Sequence, residues 1–189
     1  MKKTNHRILA IAISFVTIIA SQAQAQIEII GTKGNQLYGK SIAQFLYPWA
    51  MAFINEDQML VTTKPGKLWL VDSTGLKREV RGVPETIFAG QGGLGDVILH
   101  PDFSENKIIY LSLVESKDKG KTRGAIVVRG KLELSENPEL TEIEEVWTQI
   151  PKMKSSGHFS QKMAFHSFYI FFHNFDLFFV HFQFVFHVF

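Results

Sequence analysis

Gly90-Gln91-Gly92-Gly93-Leu94-Gly95-Asp96-Val97-Ile98-Leu99-His100-Pro101-Asp102-Phe103 is the most specific stretch of the 189-residue chain. Its glycines free the backbone for tight turns and close approach. Asp96 to Leu99 has the apolar character of a short strand, and His100-Pro101-Asp102 marks a turn after it. Upstream, Met51-Ala52-Phe53 stands where Val97-Ile98-Leu99 stands here, at equal spacing within the pattern. Downstream, Met163-Ala164-Phe165 opens what reads as a third copy, just after Gly157-His158-Phe159-Ser160-Gln161.

Between these copies the chain is a series of short strand signals joined by turns. Ala50–Ile54, Met59–Thr63, Lys67–Val71 and Leu76–Val83 are separated by Asn55-Glu56-Asp57-Gln58, by Pro65-Gly66 and by Asp72-Ser73-Thr74-Gly75. Asn and Asp side chains bond their own backbone in such turns, and Pro-Gly supplies one fixed and one permissive residue. Asp96–Leu99, Lys107–Glu115, Arg123–Leu134 and Ile143–Ile150 repeat the series. Four short strands per unit, recurring at about 40–50 residues, predict a β-propeller. A β-sandwich is the alternative on pattern alone. The segment from Gln26 to Tyr47 is turn-rich, with one short strand expected around Ile27, Ile29 and Ile30.

Composition narrows the function classes. Twenty Lys plus Arg against 18 Asp plus Glu gives a net charge of +2, which offers no case for nucleic acid or an anionic membrane surface. The chain has no cysteine, so disulfides and thiolate metal sites are excluded. Residues 1–25 read as a signal peptide. Lys2, Lys3, His6 and Arg7 precede an uncharged apolar run from Ile8 to Ala20, and Ala23-Gln24-Ala25 forms a small-residue cleavage site. The run falls short of the ~20 residues of a membrane-spanning helix. A periplasmic or secreted protein with no stable membrane span follows.

Pro48-Trp49-Ala50-Met51-Ala52-Phe53, Leu60-Val61-Thr62-Thr63 with Pro65-Gly66, and the Gly90–Phe103 stretch together resemble the soluble glucose/sorbosone (aldose) dehydrogenases that use pyrroloquinoline quinone (PQQ). Gly157 to Gln161 and Ala164-Phe165 resemble the next signature of that family, in the same order, so the resemblance spans residues 26–165. It implies an all-β fold, an incomplete β-propeller of about two four-stranded antiparallel blades from a six-bladed family fold. It implies PQQ as cofactor, calcium held by residues outside this part of the fold, an aldose sugar as substrate and a separate electron acceptor. Gln91 falls on the family's quinone-contacting glutamine and His158 on its catalytic histidine, and no metal ligand is assigned. Gly95 departs from the pattern, which usually has a larger apolar residue there, and is expected to weaken its strand slightly. Asp96 matches an aspartate usual in this branch and is given no catalytic role.

The chemistry suits these residue types. Oxidation at a sugar's anomeric carbon needs a hydride acceptor and a base for the hydroxyl proton. Histidine titrates near neutrality and can take that proton. Glutamine presents a donor and an acceptor to a quinone oxygen without adding charge. A non-catalytic propeller used as a binding module is the competing reading, because fold alone does not give function. His100 reads as a structural turn residue, and Trp49, Trp69 and Trp147 as packing between blades.

From His166 to Phe189 ten of 24 residues are Phe and four are His, with no Gly or Pro. A His-rich metal tract and a membrane-seeking tail are conceivable, but the His spacing fits no metal motif, and Asn174, Asp176 and Gln183 interrupt the apolar run. A shifted reading frame or truncated gene is the expectation for residues 166–189, testable by resequencing past codon 165. An inactive fragment is then expected, because the remaining blades would carry the family's other contacts and its calcium ligands, and two blades leave an open sheet edge prone to aggregation.

Overall fold

A computed structural model describes residues 26–157, 159–166 and 169–170. The expected signal peptide, His158 and nearly all of the aromatic tail lie outside the described residues. Residues 1–41 and 42–189 form two units. The described part of the first is a hairpin of β1 (Gln26–Ile30) and β2 (Gln36–Lys40), in antiparallel register with Ile29 opposite Leu37. Its turn is closed by the Gly31 N–H donating to the Asn35 carbonyl at 2.8 Å. The sequence pattern predicts the first of these strands and misses the second.

The second unit holds two antiparallel four-stranded sheets, each with its strands in chain order. The first contains β3 (Pro48–Phe53), β4 (Gln58–Thr63), β5 (Lys67–Asp72) and β6 (Lys77–Glu79). The second contains β7 (Leu94–Leu99), β8 (Ile108–Glu115), β9 (Gly124–Glu133) and β10 (Glu139–Thr148). A one-turn helix α1 (Phe103–Asn106) fills the turn after β7, and β11 (Phe165–His166) pairs with β12 (Tyr169–Ile170). This meander is the order of a propeller blade, repeated twice.

The turn chemistry explains the chain reversals. Asn55 Oδ1 accepts from the N–H groups of Asp57 and Gln58, and Asp72 Oδ1 accepts from those of Thr74 and Leu76. His100 is structural, as its place in a turn suggests. Its Nδ1 accepts the Asp102 N–H at 3.0 Å, and its ring stacks on Tyr110.

Alternation along the strands separates the two faces of each sheet. Leu60, Leu68 and Leu70 of the first sheet meet Leu94, Val97, Ile109, Leu111, Leu113, Ile126 and Val128 of the second in one apolar cluster. Each fully buried Leu or Ile contributes about 1.5–3 kcal/mol. The opposite face of the second sheet presents Tyr110 and Val127 to Met163, with Trp147 and Phe165 packed alongside. The second blade is therefore covered on both faces, which is why β8 is buried almost end to end. Trp147 packs between blades as expected. Trp69 instead meets Phe45, at 6.5 Å between ring centroids, and Trp49 is exposed with the Lys64 ammonium 4.9 Å above its ring.

The repeat extends to a detail that no local pattern announces. The first strand of each blade carries a register shift at the same place, between Pro48 and Met51 and between Leu94 and Val97. A bulge leaves one amide out of the ladder. In the first blade the Ala50 N–H donates to Thr62 Oγ1 at 3.0 Å, and in the second the Asp96 N–H donates to Ser112 Oγ at 2.8 Å. Each hydroxyl then donates onward to the next repeat, Thr62 to the Gly95 carbonyl and Ser112 to the Gln161 carbonyl, both at 2.6 Å. Both hydroxyl side chains are fully buried. Thr62 and Ser112 thus staple successive repeats while satisfying the bulge amides. Ser112→Ala strips the partner from a buried N–H and from a buried carbonyl. It is expected to lower stability by about 1–3 kcal/mol, read as a lower urea midpoint at unchanged slope.

Candidate functional site

The ends of several strands converge on one set of loops. The Lys64 N–H donates to the Tyr47 carbonyl at 3.0 Å, and the Leu94 N–H donates to the Lys64 carbonyl at 3.1 Å. Lys64 Nζ reaches the Gly90 carbonyl at 3.3 Å. The Gln91 N–H donates to the Ser156 carbonyl at 2.7 Å. The glycine-rich loop before β7 and the loop before β11 therefore touch, although they are far apart in sequence.

Glycine is required here for space as well as for φ. Gly93 has φ +124°, and a Cβ on it would lie 2.3 Å from the Lys64 carbonyl oxygen. A Cβ on Gly157 would stand 3.6 Å from Gln91 Oε1. Gln91 is exposed. His158, the other expected site residue, follows Gly157 in the chain and lies outside the described residues.

Behind the loops lies a buried polar cluster that sequence reasoning left without a role. The Asp96 side chain is buried. Its carboxylate accepts the Met163 N–H at 2.7 Å, and the Lys162 ammonium stands 3.2 Å away. Gln161 is also buried, and its Nε2 donates to the Gly93 carbonyl at 3.0 Å. An aspartate inside an otherwise apolar strand was the signal available for this cluster. Nothing local distinguishes Gln161.

Burial pushes the Asp96 carboxyl above its ordinary value of 3.8, outweighing the Met163 N–H and the Lys162 ammonium, which pull it down. A raised folded-state pKa means that folding takes up a proton. The contribution to stability is full below about pH 4 and is lost as pH rises through the folded-state value. The difference between the wild type and Asp96→Asn isolates this group. Its urea midpoint relative to that variant should fall as pH rises from about 4, and a rise would contradict the assignment.

Gly95 corrects one expectation. Its missing side chain does not simply weaken β7, because a Cβ there would stand 2.6 Å from the Gln161 Cβ and 2.7 Å from Ser112 Oγ. The space is occupied, so the glycine permits close packing.

Two antiparallel four-stranded blades packed face to face, with polar loops gathered at their ends, define a propeller segment. The glucose/sorbosone dehydrogenase family model matches residues 45–175, and the chain belongs to that family. It is 38% identical over 122 residues to the aldose sugar dehydrogenase YliI of Escherichia coli K12, a match covering 63% of this chain and 32% of that protein. The crystal structure of the soluble aldose sugar dehydrogenase from Escherichia coli in its apo form aligns with a TM-score of 0.58 at 36% identity, covering 63% of this chain and 34% of that one. The PQQ-bound aldose sugar dehydrogenase from Streptomyces coelicolor aligns with a TM-score of 0.58 at 26% identity, covering 68% and 37%. The chain thus spans about a third of the length of these relatives. Among the described residues no helix is long and apolar enough to cross a membrane, and no three His, Asp or Glu side chains group as a metal site.

Proposed function

We propose that this chain supplies the Gln91–His158 part of the active site of an exported, quinone-dependent aldose dehydrogenase. The observation that carries the reading is the 2.7 Å bond from the Gln91 N–H to the Ser156 carbonyl, which joins the two motif loops. The residues present suit a flat, carboxylated quinone. Gln91 is exposed beside glycines, and the Lys64 ammonium adds positive charge near the Gly90 carbonyl.

The quinone, when bound, supplies the hydride-accepting chemistry. Gln91 orients it through an amide that can donate or accept without bringing net charge. His158 takes the hydroxyl proton from the anomeric carbon's substituent as the C–H bond breaks. Calcium would be held by residues of the family fold outside the part matched here.

The test is a chimera in which residues 45–165 replace the matched segment of the Escherichia coli aldose sugar dehydrogenase. Quinone-dependent reduction of a dye on addition of an aldose is expected. A folded chimera that takes up quinone yet transfers no electrons would defeat the enzymatic reading in favour of a binding module.

A further inference from the structure

We propose that Gln161 is a positioning residue that fixes the segment carrying His158 against the Gln91 loop, a role made possible by glycine at position 95. The inference rests on the functional reading of Gln91 and His158 given above. Residues 156–163 are tied to residues 91–96 at both ends. At one end the Gln91 N–H holds the Ser156 carbonyl at 2.7 Å. At the other, three bonds converge within three residues. Gln161 Nε2 donates to the Gly93 carbonyl at 3.0 Å, the Ser112 hydroxyl to the Gln161 carbonyl at 2.6 Å, and the Met163 N–H to the Asp96 carboxylate at 2.7 Å. His158 lies in the chain between these anchors.

The Gln161 side chain fits only because residue 95 has none. A Cβ at position 95 would fall 2.6 Å from the Gln161 Cβ and 2.7 Å from its Cδ, far inside contact distance. The two positions are therefore size-matched across the blade boundary. The repeat makes them equivalents, since Thr62 reaches the Gly95 carbonyl as Ser112 reaches that of Gln161. The amide matters as well as the bulk. The Gly93 carbonyl already accepts the Val114 N–H at 3.1 Å, so Gln161 uses its second lone pair. Removing the amide leaves that carbonyl satisfied within its own blade and cuts only the tie to the neighbouring segment. The effect of removal should be local to the loops, and not spread through the sheets.

Hydrogen exchange followed by NMR on the full chain separates the two cases. In Gln161→Ala, exchange protection of the Gln91 amide should fall about tenfold, the worth of one such hydrogen bond, while the β8 amides keep theirs. An equal loss at β8 would make Gln161 a general stabiliser, and no loss at Gln91 would remove its role. Either result overturns the proposal. Gly95→Leu, whose side chain would occupy the space of the Gln161 side chain, should reproduce the Gln91 loss. If Gly95→Leu prevents folding, the exchange data on Gln161→Ala decide alone. Titration with PQQ, followed by fluorescence quenching, adds a second reading, with binding about tenfold weaker in Gln161→Ala. A wild-type chain that binds no quinone would count against the functional reading, and the exchange result would still decide the positioning role.

Discussion

Replacing His158 by alanine should lower aldose turnover by the chimera about a hundredfold to ten-thousandfold, with little change in its thermal stability. That range is what a positioned general base contributes to proton transfer. On the proposed role as general base the loss should fall on kcat, where proton transfer in the transition state is felt most. Gln91→Ala should behave differently. It removes an orienting contact, so quinone affinity should drop and excess quinone should restore part of the rate. The pair of variants separates the two proposed roles. Equal turnover by His158→Ala and its parent would remove the base from this chain and send the search to other residues.

Leu60→Ala should cost about 2–5 kcal/mol, whereas Phe53→Ala, a larger truncation, should cost below about 1 kcal/mol. The two side chains lie in paired strands of the same blade. Leu60 is fully buried in the cluster between the blades, while Phe53 is 65% exposed. Deleting the Leu60 side chain leaves a cavity between two sheets whose backbones are held by bulges and buried hydroxyls, so little collapse is possible. Phe53 projects from the other face of the first blade and loses few contacts. Urea titrations of both variants at one pH would check the ranking. A larger loss for Phe53→Ala would mean that the outer face of the first blade is covered in solution.

The limits of the sequence reading follow the same physics. Lys67 to Val71 and Lys107 to Glu115 announce themselves as strands through β-branched and apolar residues between turn clusters, and β5 and β8 appear there. The fourth strand of the second blade begins at Glu139, earlier than Ile143 suggests. Two register shifts interrupt its alternation, so period two breaks within the strand. The reading of Gly95 as a mild weakness fails for a different reason. Its neighbour Gln161 lies in another repeat, and no local signal reports that contact.

The sequence by itself determined most of the strands, their grouping into repeats and the family motif around Gln91, because turn preference and alternation act between residues close along the chain. Tertiary structure alone decided which face of each blade is buried, how Thr62 and Ser112 staple the repeats, and that the Gln91 loop meets Ser156. Those outcomes depend on close packing and on satisfying buried polar groups between residues far apart in the chain. The stretch that decides the fold is also met by Gln161, a residue in the next repeat whose packing against Gly95 no local pattern encodes.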